Sequence, residues 1–542
     1  MPRFRPQILD IRPELTRDRW FKEISAGVIV GIVAIPLAIA FGIASGVTPR
    51  QGLITAVIAG AIMAGLGGSR VQIGGPTGAF VILVASIIER FGLDGLLIAT
   101  MMAGTLLIVA GMLRAGALLR YIPLPVTTGF TSGIALIIAT GELSDAFGLA
   151  VGKQPAAWLP KLQTLAQHAS SVNPRALAVT AVTIAIITLW PKTRNRIPSP
   201  FVALVVTAVA VTLLHLDVET IGSRFGVLPR GLPWPRLPDV SLTRLPELFL
   251  PACTIALLAA IESLLSAVVA DSMTSRRHRS NTELVSVGIA NIASPLFGGI
   301  PATGAIARTA TNVRSGGTTP IAGLTHAVTI FLVLAIAGPL AAKIPMATLA
   351  GILLIVAWHM SEWHSFRRLV GGSRDDAAVL LTTFGFTVLA DLTVGIGMGI
   401  ALAALLFVQR MSAAAHIVTG DEEEDDPAAV LRRAFLPDDV RLLEVRGPLF
   451  FGGADQLRTA LEVLQDRPRV LLVDLEAASG LDATTTRMLG DFARRGKAHG
   501  SRVIFVTRNP TMALALRREG LERALSVERA VARTRETIDD RR

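Results

Sequence analysis

The chain has 542 residues and a net charge of +11 at pH 7, although only 17% of its residues are charged and 51% are hydrophobic. A mean hydropathy of +0.56 excludes a soluble protein of this length. Apolar runs of about 20 residues predict membrane helices instead. The arginines lie in short loops between these runs, so the positive charge is interpreted as a topology signal and no nucleic-acid partner is expected. The single cysteine, Cys253, excludes an internal disulfide framework.

A polar segment, residues 1–22, is predicted to lie in the cytoplasm and at the membrane interface, because it ends in Arg19-Trp20-Phe21-Lys22. Fourteen membrane spans follow in a predicted transport domain of residues 23–412. The predicted spans are 23–45, 51–67, 70–90, 93–113, 117–140, 174–191, 198–215, 247–270, 281–298, 300–313, 318–340, 343–360, 375–392 and 394–411. They divide as seven plus seven, and because seven is odd, the second half is inverted relative to the first.

The charges of the loops agree with this count. When the N-terminus is cytoplasmic, the loops after even-numbered spans are cytoplasmic too, and they carry Arg114, Arg120, Lys192, Arg194, Arg196, Arg276, Arg277, Arg279, Arg314, Arg367, Arg368 and Arg374. The opposite loops have fewer cations and carry Glu89, Asp94, Glu142, Asp145, Asp217, Glu219 and Asp391. This positive-inside pattern predicts a multi-pass protein of the inner (plasma) membrane with both termini in the cytoplasm.

Two stretches of the chain repeat with one spacing. Thr77-Gly78-Ala79 recurs as Thr303-Gly304-Ala305, 226 residues later (303 − 77 = 226). The same offset relates Ala34-Ile35 to Ala260-Ile261 and pairs Pro36 with Glu262. Two matches at one offset predict an internal repeat, in which the third and tenth spans are both broken by Gly and Pro. Broken segments at membrane depth line cavities, so this pair predicts the binding site of a secondary transporter.

The two broken segments also predict the chemistry of that site. Half-helices that begin near Thr77 and Thr303 bring two helix N-termini to the membrane midplane, each with unpaired N–H groups and about half a positive charge. Gly78 and Gly304 let a substrate approach the backbone, and the threonines cap or donate hydroxyls. This pattern predicts an anion site. The alternative is that the glycines only pack helices together, as in other membrane bundles.

Two ionisable residues lie in the second half of the repeat. A carboxylate inside an apolar helix is costly, so Glu262 is interpreted as functional. Burial favours its neutral form and a nearby arginine its charged form, which leaves two roles open: proton coupling, or a permanent ion pair with Arg308. Arg308 follows Gly304 by about one helical turn and can donate two hydrogen bonds to a carboxylate, sulfate or bicarbonate.

The chain lacks the motifs of other function classes. No Walker loop, HExxH or nucleophile elbow is present, so an enzyme is not expected. The sequence HMSEWH contains His359, Glu362 and His364, but the spacing of its histidines suits one helix face poorly. No metal and no cofactor is therefore expected.

The composition changes sharply after Arg410. The acidic run from Asp421 to Asp426 predicts a solvated linker over residues 413–437, with a calcium or partner site as the alternative. Residues 438–530 alternate strand-like and helical pieces, which predicts a small α/β domain with a mixed or parallel sheet, taken to span residues 438–542.

Several blocks of the sequence resemble one family. AIPLAIAFG, GGPTGAF, AAIESLLSAVVADSMT and NTELVSVGIANIASPLFGGIPATGAIARTATN are similar to blocks of the SulP anion transporters, which are solute-carrier family 26. The C-terminal region resembles the STAS domain that these proteins carry. The resemblance implies a seven-plus-seven inverted repeat divided into a core and a gate domain, a homodimer, elevator-like movement of the core, and a cytoplasmic STAS domain.

The resemblance also implies site residues. It places Arg308 beside the anion and Phe41 near the pocket. With the broken segments, the candidate substrate-binding residues are Phe41, Thr77, Gly78, Ala79, Phe80, Thr303, Gly304, Ala305, Ile306 and Arg308. The candidate coupling residues are Glu262 and Ser266. The block around them is most like the bacterial proton-coupled C4-dicarboxylate branch, whereas the sodium–bicarbonate branch carries Asp and Thr at these two positions.

The sequence therefore predicts a secondary active anion transporter in a lipid bilayer, with proton-coupled symport of a C4-dicarboxylate such as succinate or fumarate. The alternatives within the family are a sulfate or bicarbonate transporter, coupled to protons or sodium, and a passive anion channel or exchanger. A membrane-anchored regulator that acts through its STAS domain is a third class.

Overall fold

The computed structural model describes residues 4–539 except 11–15, 118–121, 153, 156, 194–196, 227–228, 240–243, 337, 391, 414–415, 420–435, 438, 451–467 and 499. The chain forms two compact units, residues 1–400 and 401–542. The domain boundaries predicted from the sequence, after residues 22, 412 and 437, stay predictions.

The first unit is helical. Its helices are α1 (Arg17–Ala44), α2 (Pro49–Leu66), α3 (Phe80–Met112), α4 (Leu124–Phe147), α5 (Trp158–Gln167), α6 (Pro174–Leu189), α7 (Ser199–Leu213), α8 (Ile221–Phe225), α9 (Leu245–Thr274), α10 (Ser280–Leu296), α11 (Ile306–Arg314), α12 (Pro320–Ile336), α13 (Gly338–Ala341), α14 (Met346–Met360), α15 (Trp363–Val370), α16 (Arg374–Leu389) and α17 (Leu392–Ala413), the last of which runs on into the second unit. Eight helical segments among the described residues are long and apolar enough to cross a membrane, and two shorter helices are also apolar.

Each of the fourteen predicted spans overlaps one of these helices. The third and fourth spans both lie in α3, which is two helices joined at a kink. Gly92 forms this kink with φ 74° and ψ −179°, a backbone conformation that glycine adopts without the steric cost of a side chain. The first span differs at its start, because α1 begins at Arg17, inside the segment predicted to be interfacial.

The two broken segments pair with each other. Strands β1 (Gly74–Gly75) and β2 (Thr303–Gly304) are antiparallel, with Gly74 opposite Gly304 and Gly75 opposite Thr303. Continued by one residue, this register places Pro76 opposite Ala302, and these residues are 226 apart (302 − 76 = 226), the spacing of the sequence repeat. The register therefore pairs two repeat-equivalent residues just beyond one end of the ladder. That is the geometry expected where a two-fold axis relates two inverted halves.

The helices of the first unit pack into two bundles. The core bundle contains α1, α2, α3, α9, α10, α11 and α12, and the gate bundle contains α4, α6, α7, α14 and α16. Small residues bring the core helices close together: a Cβ built on Gly104 of α3 would lie 2.6 Å from the carbonyl oxygen of Gly288 of α10, and the reverse distance is also 2.6 Å. Close backbone approach of this kind replaces the hydrophobic effect as the source of cohesion between membrane helices.

The second unit contains a mixed sheet. Its strands are β3 (His416–Thr419), β4 (Val440–Leu449), β5 (Val470–Asp474), β6 (Ala478–Leu481), β7 (Arg502–Val506) and β8 (Arg523–Ala524), in the order β3-β4-β5-β7-β8, with β6 beside β4. Only the β3–β4 pair is antiparallel among the described strands of this sheet. Helices α18 (Ala483–Ala498), α19 (Pro510–Arg518) and α20 (Val527–Asp539) complete the unit. Buried apolar side chains on both faces form its core, as in an α/β domain.

One part of the predicted linker is a strand. His416–Thr419 was assigned to the linker because of the acidic run that follows it, but it forms β3 and pairs with residues 443–446 of β4. Ile417 and Val418 are β-branched residues that favour a strand once a partner edge is available. The acidic run from Asp421 to Asp426 lies outside the described residues.

Candidate anion site between the two half-helices

The broken segments leave two helix N-termini facing a common region. Helix α3 begins at Phe80 and α11 at Ile306, positions that are again one repeat apart (306 − 80 = 226). Neither helix start carries a side-chain cap. At the start of α3 the N–H groups of Phe80 and Val81 donate to the carbonyl oxygens of Thr77 at 3.3 Å and Gly78 at 3.1 Å. The first N–H groups of a helix have no intrahelical acceptor, and at the start of α11 such groups can bind an anion. The structure therefore brings together the two half-helices that the sequence predicted.

Gly78 lies where the core bundle meets the gate bundle. A Cβ built on Gly78 would lie 3.2 Å from Phe41 Cε1 of α1, 3.2 Å from Ile138 Cδ1 of α4 and 2.9 Å from Met360 Sδ of α14. Phe41, which the resemblance places near the pocket, is buried, and its role in binding stays a prediction. Ile138 and Met360 were not predicted, because nothing in an apolar helix sequence indicates which residue faces the other bundle.

Thr77 and Glu262 join the two halves of the repeat. The hydroxyl of Thr77, just before α3, donates a hydrogen bond to Glu262 Oε2 in α9 at 2.8 Å. Thr77 is buried and Glu262 is partly buried. The carboxylate of the second half thus lies at the start of the half-helix of the first half.

The equivalent threonine behaves differently. Thr303 is fully buried, and its hydroxyl donates to the carbonyl oxygen of Ala259 in α9 at 2.9 Å. Its neighbour Gly304 is in close contact with Gln72, since a Cβ at Gly304 would lie 1.8 Å from Gln72 Nε2. The two broken segments differ in backbone conformation, helical at Ala79 before α3 and extended at Ala305 before α11, and their threonines have different partners.

Arg308 contacts the first broken segment and not Glu262. Its side chain is buried, its Nη2 donates to the carbonyl oxygen of Pro76, and its Nη1 lies against Gly75. Within the described part of the chain, Arg308 and Glu262 form no ion pair. The permanent ion pair considered from the sequence is absent from this conformation, in which Arg308 ties α11 to the segment before α3.

The other predicted residues are mostly buried around the ladder. Ala79, Phe80 and Ala305 are buried, and the N–H of Ala305 extends the ladder by donating to the carbonyl oxygen of Ile73 at 2.9 Å. Ile306 differs, because 37% of its side chain is exposed. Ser266 donates to Thr309 Oγ1 at 3.2 Å. Ser266 therefore contacts α11 at the end of its first turn, and its hydroxyl does not bond to Glu262.

A buried polar network behind the ladder was missed by the sequence reasoning. Gln72 Nε2 donates to Ser263 Oγ at 2.6 Å, and Ser263 donates to Glu283 Oε1 at 3.4 Å. Glu283 Oε2 accepts from the backbone N–H groups of Gly68 at 2.7 Å and Ser69 at 3.0 Å. Glu283, at the start of α10, thus caps backbone groups of a segment more than 200 residues away in the sequence. Polar residues within apolar stretches, such as Gln72, Ser263 and Glu283, were the sequence feature that could have indicated this network.

This combination of features defines a class of protein. An apolar helical unit holds two repeat-related half-helices whose N-termini lie beside a carboxylate, and that is the architecture of a membrane transporter for anions. The chain belongs to the Sulfate permease family, whose sequence profile matches residues 21–383, and the STAS domain profile matches residues 436–540. The predicted membership of the SulP family, the fold class and the STAS domain are thereby confirmed, and the protein is a multi-pass anion transporter.

Curated relatives and solved structures agree with this membership. The chain is 40% identical over 491 residues to YvdB of Bacillus subtilis (strain 168), named for sulfate transport, covering 90% of this chain and 92% of that protein. It is 33% identical over 449 residues to the bicarbonate transporter BicA of Picosynechococcus, covering 80% and 79%. The solved transmembrane domain of a cyanobacterial BicA aligns with a TM-score of 0.65 at 33% identity, covering 71% of this chain and 99% of that chain. The structure of SLC26A9 shares the fold, with a TM-score of 0.85 at 16% identity, covering 98% and 93%.

Proposed function

We propose that this protein is a secondary active transporter that moves a small oxoanion together with protons, with sulfate as its first candidate substrate. The observation that carries the proposal is the hydrogen bond between Thr77 and Glu262, which puts a protonatable group against a half-helix N-terminus. Among the residues that the structure describes, this carboxylate accepts a hydrogen bond from a hydroxyl and forms no ion pair, which leaves it able to exchange a proton. Its charge would repel an anion bound at the same helix start. Protonation of Glu262 and anion binding therefore favour each other.

The choice of a small anion rests on the surroundings of Gly78. Phe41, Ile138 and Met360 closely surround this residue, which leaves little space beside it for a carbon chain. Sulfate is compact and its four oxygens can accept from both helix starts. The similarity to YvdB, which is named for sulfate, supports the same choice. Bicarbonate is smaller still, and the similarity to BicA makes it the next substrate to test.

A C4-dicarboxylate is the second candidate. It was favoured by the block around Glu262 and Ser266, which resembles the dicarboxylate branch, but the relatives reported above are named for sulfate and bicarbonate. Competition by succinate in a transport assay tests this second candidate directly.

Movement of the core bundle against the gate bundle is the proposed means of alternating access. The site residues Thr77 and Gly78 belong to the core bundle, and the side chains that cover Gly78 from the other side belong to the gate bundle. A displacement of the core bundle would carry the anion with it and expose it on the other side. Assembly as a homodimer and a cytoplasmic STAS domain remain predictions from the resemblance.

A competition panel in proteoliposomes tests the substrate. Uptake of labelled sulfate is measured with unlabelled sulfate, bicarbonate or succinate in excess, with and without gradients of pH and sodium. The proposal expects competition by sulfate and accumulation against its gradient when the outside is acidic. Downhill flux alone would indicate a channel, and a sodium requirement would replace the proton as coupling ion. Uptake of labelled succinate, with no uptake of labelled sulfate, would support the dicarboxylate.

A further inference from the structure

His326 is a buried histidine that the proposed mechanism does not use. It lies in α12, is fully buried, and neither of its ring nitrogens has a hydrogen-bond partner among the described residues. Buried polar side chains are nearly always hydrogen-bonded, because an unpaired buried group costs free energy. An unpaired histidine therefore calls for a physical explanation.

The ring lies beside the strand ladder of the anion site. A Cβ built on Gly60 of α2 would lie 3.6 Å from His326 Nδ1 and 3.3 Å from the carbonyl oxygen of Gly74. His326 and Gly74 of β1 therefore both lie next to Gly60 of α2.

The guanidinium of Arg308 lies near α2 as well, one helical turn from the position that His326 contacts. Its Nη1 also has no partner among the described residues, and it lies 2.5 Å from where a Cβ on Gly75 would be. That Cβ would in turn lie 3.4 Å from Ala56 Cα. Ala56 and Gly60 are one helical turn apart, so the guanidinium and the imidazole lie at successive turns of one face of α2.

We infer that His326 forms a second proton-binding site, whose occupancy is linked to the anion held near Arg308. This inference rests on the proposed function. While the anion is absent, no carboxylate of the described residues is hydrogen-bonded to the ring to stabilise an imidazolium, and Arg308 is the nearby charge. An anion bound at the half-helix starts brings negative charge beside both groups. That charge favours proton uptake by the imidazole, and by reciprocity the protonated imidazole strengthens anion binding.

The other charged groups around α12 do not take this role. Helix α12 packs against α1 and α2, and α11 contributes Arg308. The charged residues of these three helices are Arg17, Asp18, Arg19, Lys22 and Glu23 on α1, Arg50 on α2, and Arg308 and Arg314 on α11. The carboxylate of Glu23 is already occupied, because it accepts hydrogen bonds from Thr318 and Thr319 just before α12. Arg50 donates to the carbonyl oxygen of Gly231.

The number of protons moved with each anion tests the inference. Proton and sulfate fluxes are measured together in proteoliposomes for the wild type, H326Q and the control H359Q. Gln keeps a polar side chain of similar size but binds no proton in this range. His359 is exposed, and its Nδ1 contacts the carbonyl oxygen of Ile355 at 2.8 Å. The expected result is a loss of up to about half a proton per sulfate in H326Q at a pH near the titration midpoint, and no change in H359Q. The loss is limited to this size because a midpoint shift of about one pH unit changes the occupancy of one site by at most that amount.

A second measurement on the unmodified protein covers the case in which H326Q does not fold. Hydrogen–deuterium exchange at the imidazole C2 carbon of His326 reports its protonation as a function of pH. Saturating sulfate is expected to move the midpoint of this profile upward by about one pH unit, because a nearby negative charge favours the protonated imidazole. A histidine that only fills space would give the same profile with and without sulfate.

The outcomes separate this inference from the proposed function. Wild-type accumulation of sulfate without proton uptake would overturn both. An unchanged proton ratio in H326Q, together with an exchange profile insensitive to sulfate, would overturn the role of His326 alone, provided that E262Q still abolishes proton-driven accumulation. A reduced ratio in H326Q or a sulfate-dependent profile supports the inference.

Discussion

Thr77 Oγ1 donates to Glu262 Oε2 at 2.8 Å, and this hydrogen bond connects the two halves of the repeat at the candidate anion site. Replacing Thr77 by Val removes the donor while keeping the shape of the side chain. Hydrogen bonds to a charged group contribute about 1.5–3 kcal/mol, so we expect T77V to lower the transport rate about tenfold or more. T77S keeps the hydroxyl and serves as the control. Equal rates for T77V and T77S would show that the hydrogen bond is dispensable.

E262Q separates coupling from transport. Glutamine keeps an oxygen that accepts from Thr77 but cannot exchange a proton. We expect accumulation driven by a pH gradient to disappear while sulfate–sulfate exchange stays measurable, and the two activities are assayed in the same proteoliposomes. If accumulation by E262Q keeps the pH dependence of the wild type, Glu262 is not the coupling residue.

Arg308 is expected to require its planar, forked shape as well as its charge. Lys keeps the charge, but it cannot donate to the carbonyl oxygen of Pro76 and present a second nitrogen in the same plane. We expect R308K to raise the KM for sulfate about tenfold or more, with folding checked by size-exclusion chromatography. A folded R308K with an unchanged KM would contradict a role in anion binding.

Gly304 is expected to tolerate no side chain. A Cβ there would lie 1.8 Å from Gln72 Nε2 and 3.1 Å from Ser263 Oγ, so G304A must displace the buried hydrogen bond between these residues. Overpacking of this kind costs about 1–3 kcal/mol, and we expect a lower melting temperature and loss of transport. Gly65 in α2 is the matched control, since a Cβ there meets nothing within 4 Å. G65A is expected to be neutral or to stabilise the helix by up to about 1 kcal/mol. Equal effects of both variants would rule out the contact with Gln72 as the cause.

Asp10 is expected to hold the N-terminal segment in a pH-dependent way. It forms ion pairs with Arg279 and Arg5, each at 2.6 Å. Burial opposes the charged form, but the hydrogen bond and charge of Arg279, with those of Arg5, lower the pKa of Asp10 below its ordinary value. A lowered pKa means that the attachment is present at neutral pH and is lost as the pH falls through the pKa of the folded state.

Limited proteolysis of the N-terminal segment measures this attachment. D10N is expected to be cleaved faster than the wild type at pH 7, and the difference is expected to vanish in acid. The exposed Asp18 provides the control variant D18N. Cleavage of D10N at the wild-type rate would show that the ion pairs of Asp10 are not needed to hold the segment in place. Other contacts would then be sufficient, such as the hydrogen bond from Gln7 N–H to the carbonyl oxygen of Gly67.

The repeat, the spans and the family could all be predicted from the sequence. Membrane helices are long apolar runs, and a half-helix must be broken by Gly and Pro, so both leave a local pattern. The offset of 226 residues between Thr77 and Thr303 is also the separation of Pro76 and Ala302, which the register of β1 and β2 places opposite each other. The strand at His416–Thr419 was missed because its partner, β4, lies more than twenty residues away in the sequence.

Only the tertiary structure decided how the side chains of the site are paired. The sequence placed Glu262 and Arg308 in the same half and left an ion pair between them open. In the structure Glu262 accepts from Thr77 and Arg308 donates to Pro76, both in the other half. His326 gave no sequence signal, because a histidine in an apolar helix has no local pattern that shows which neighbours it meets. Local apolar and Gly/Pro patterns determine where helices begin, run and break, whereas contacts between distant segments arise only when the two inverted halves pack together.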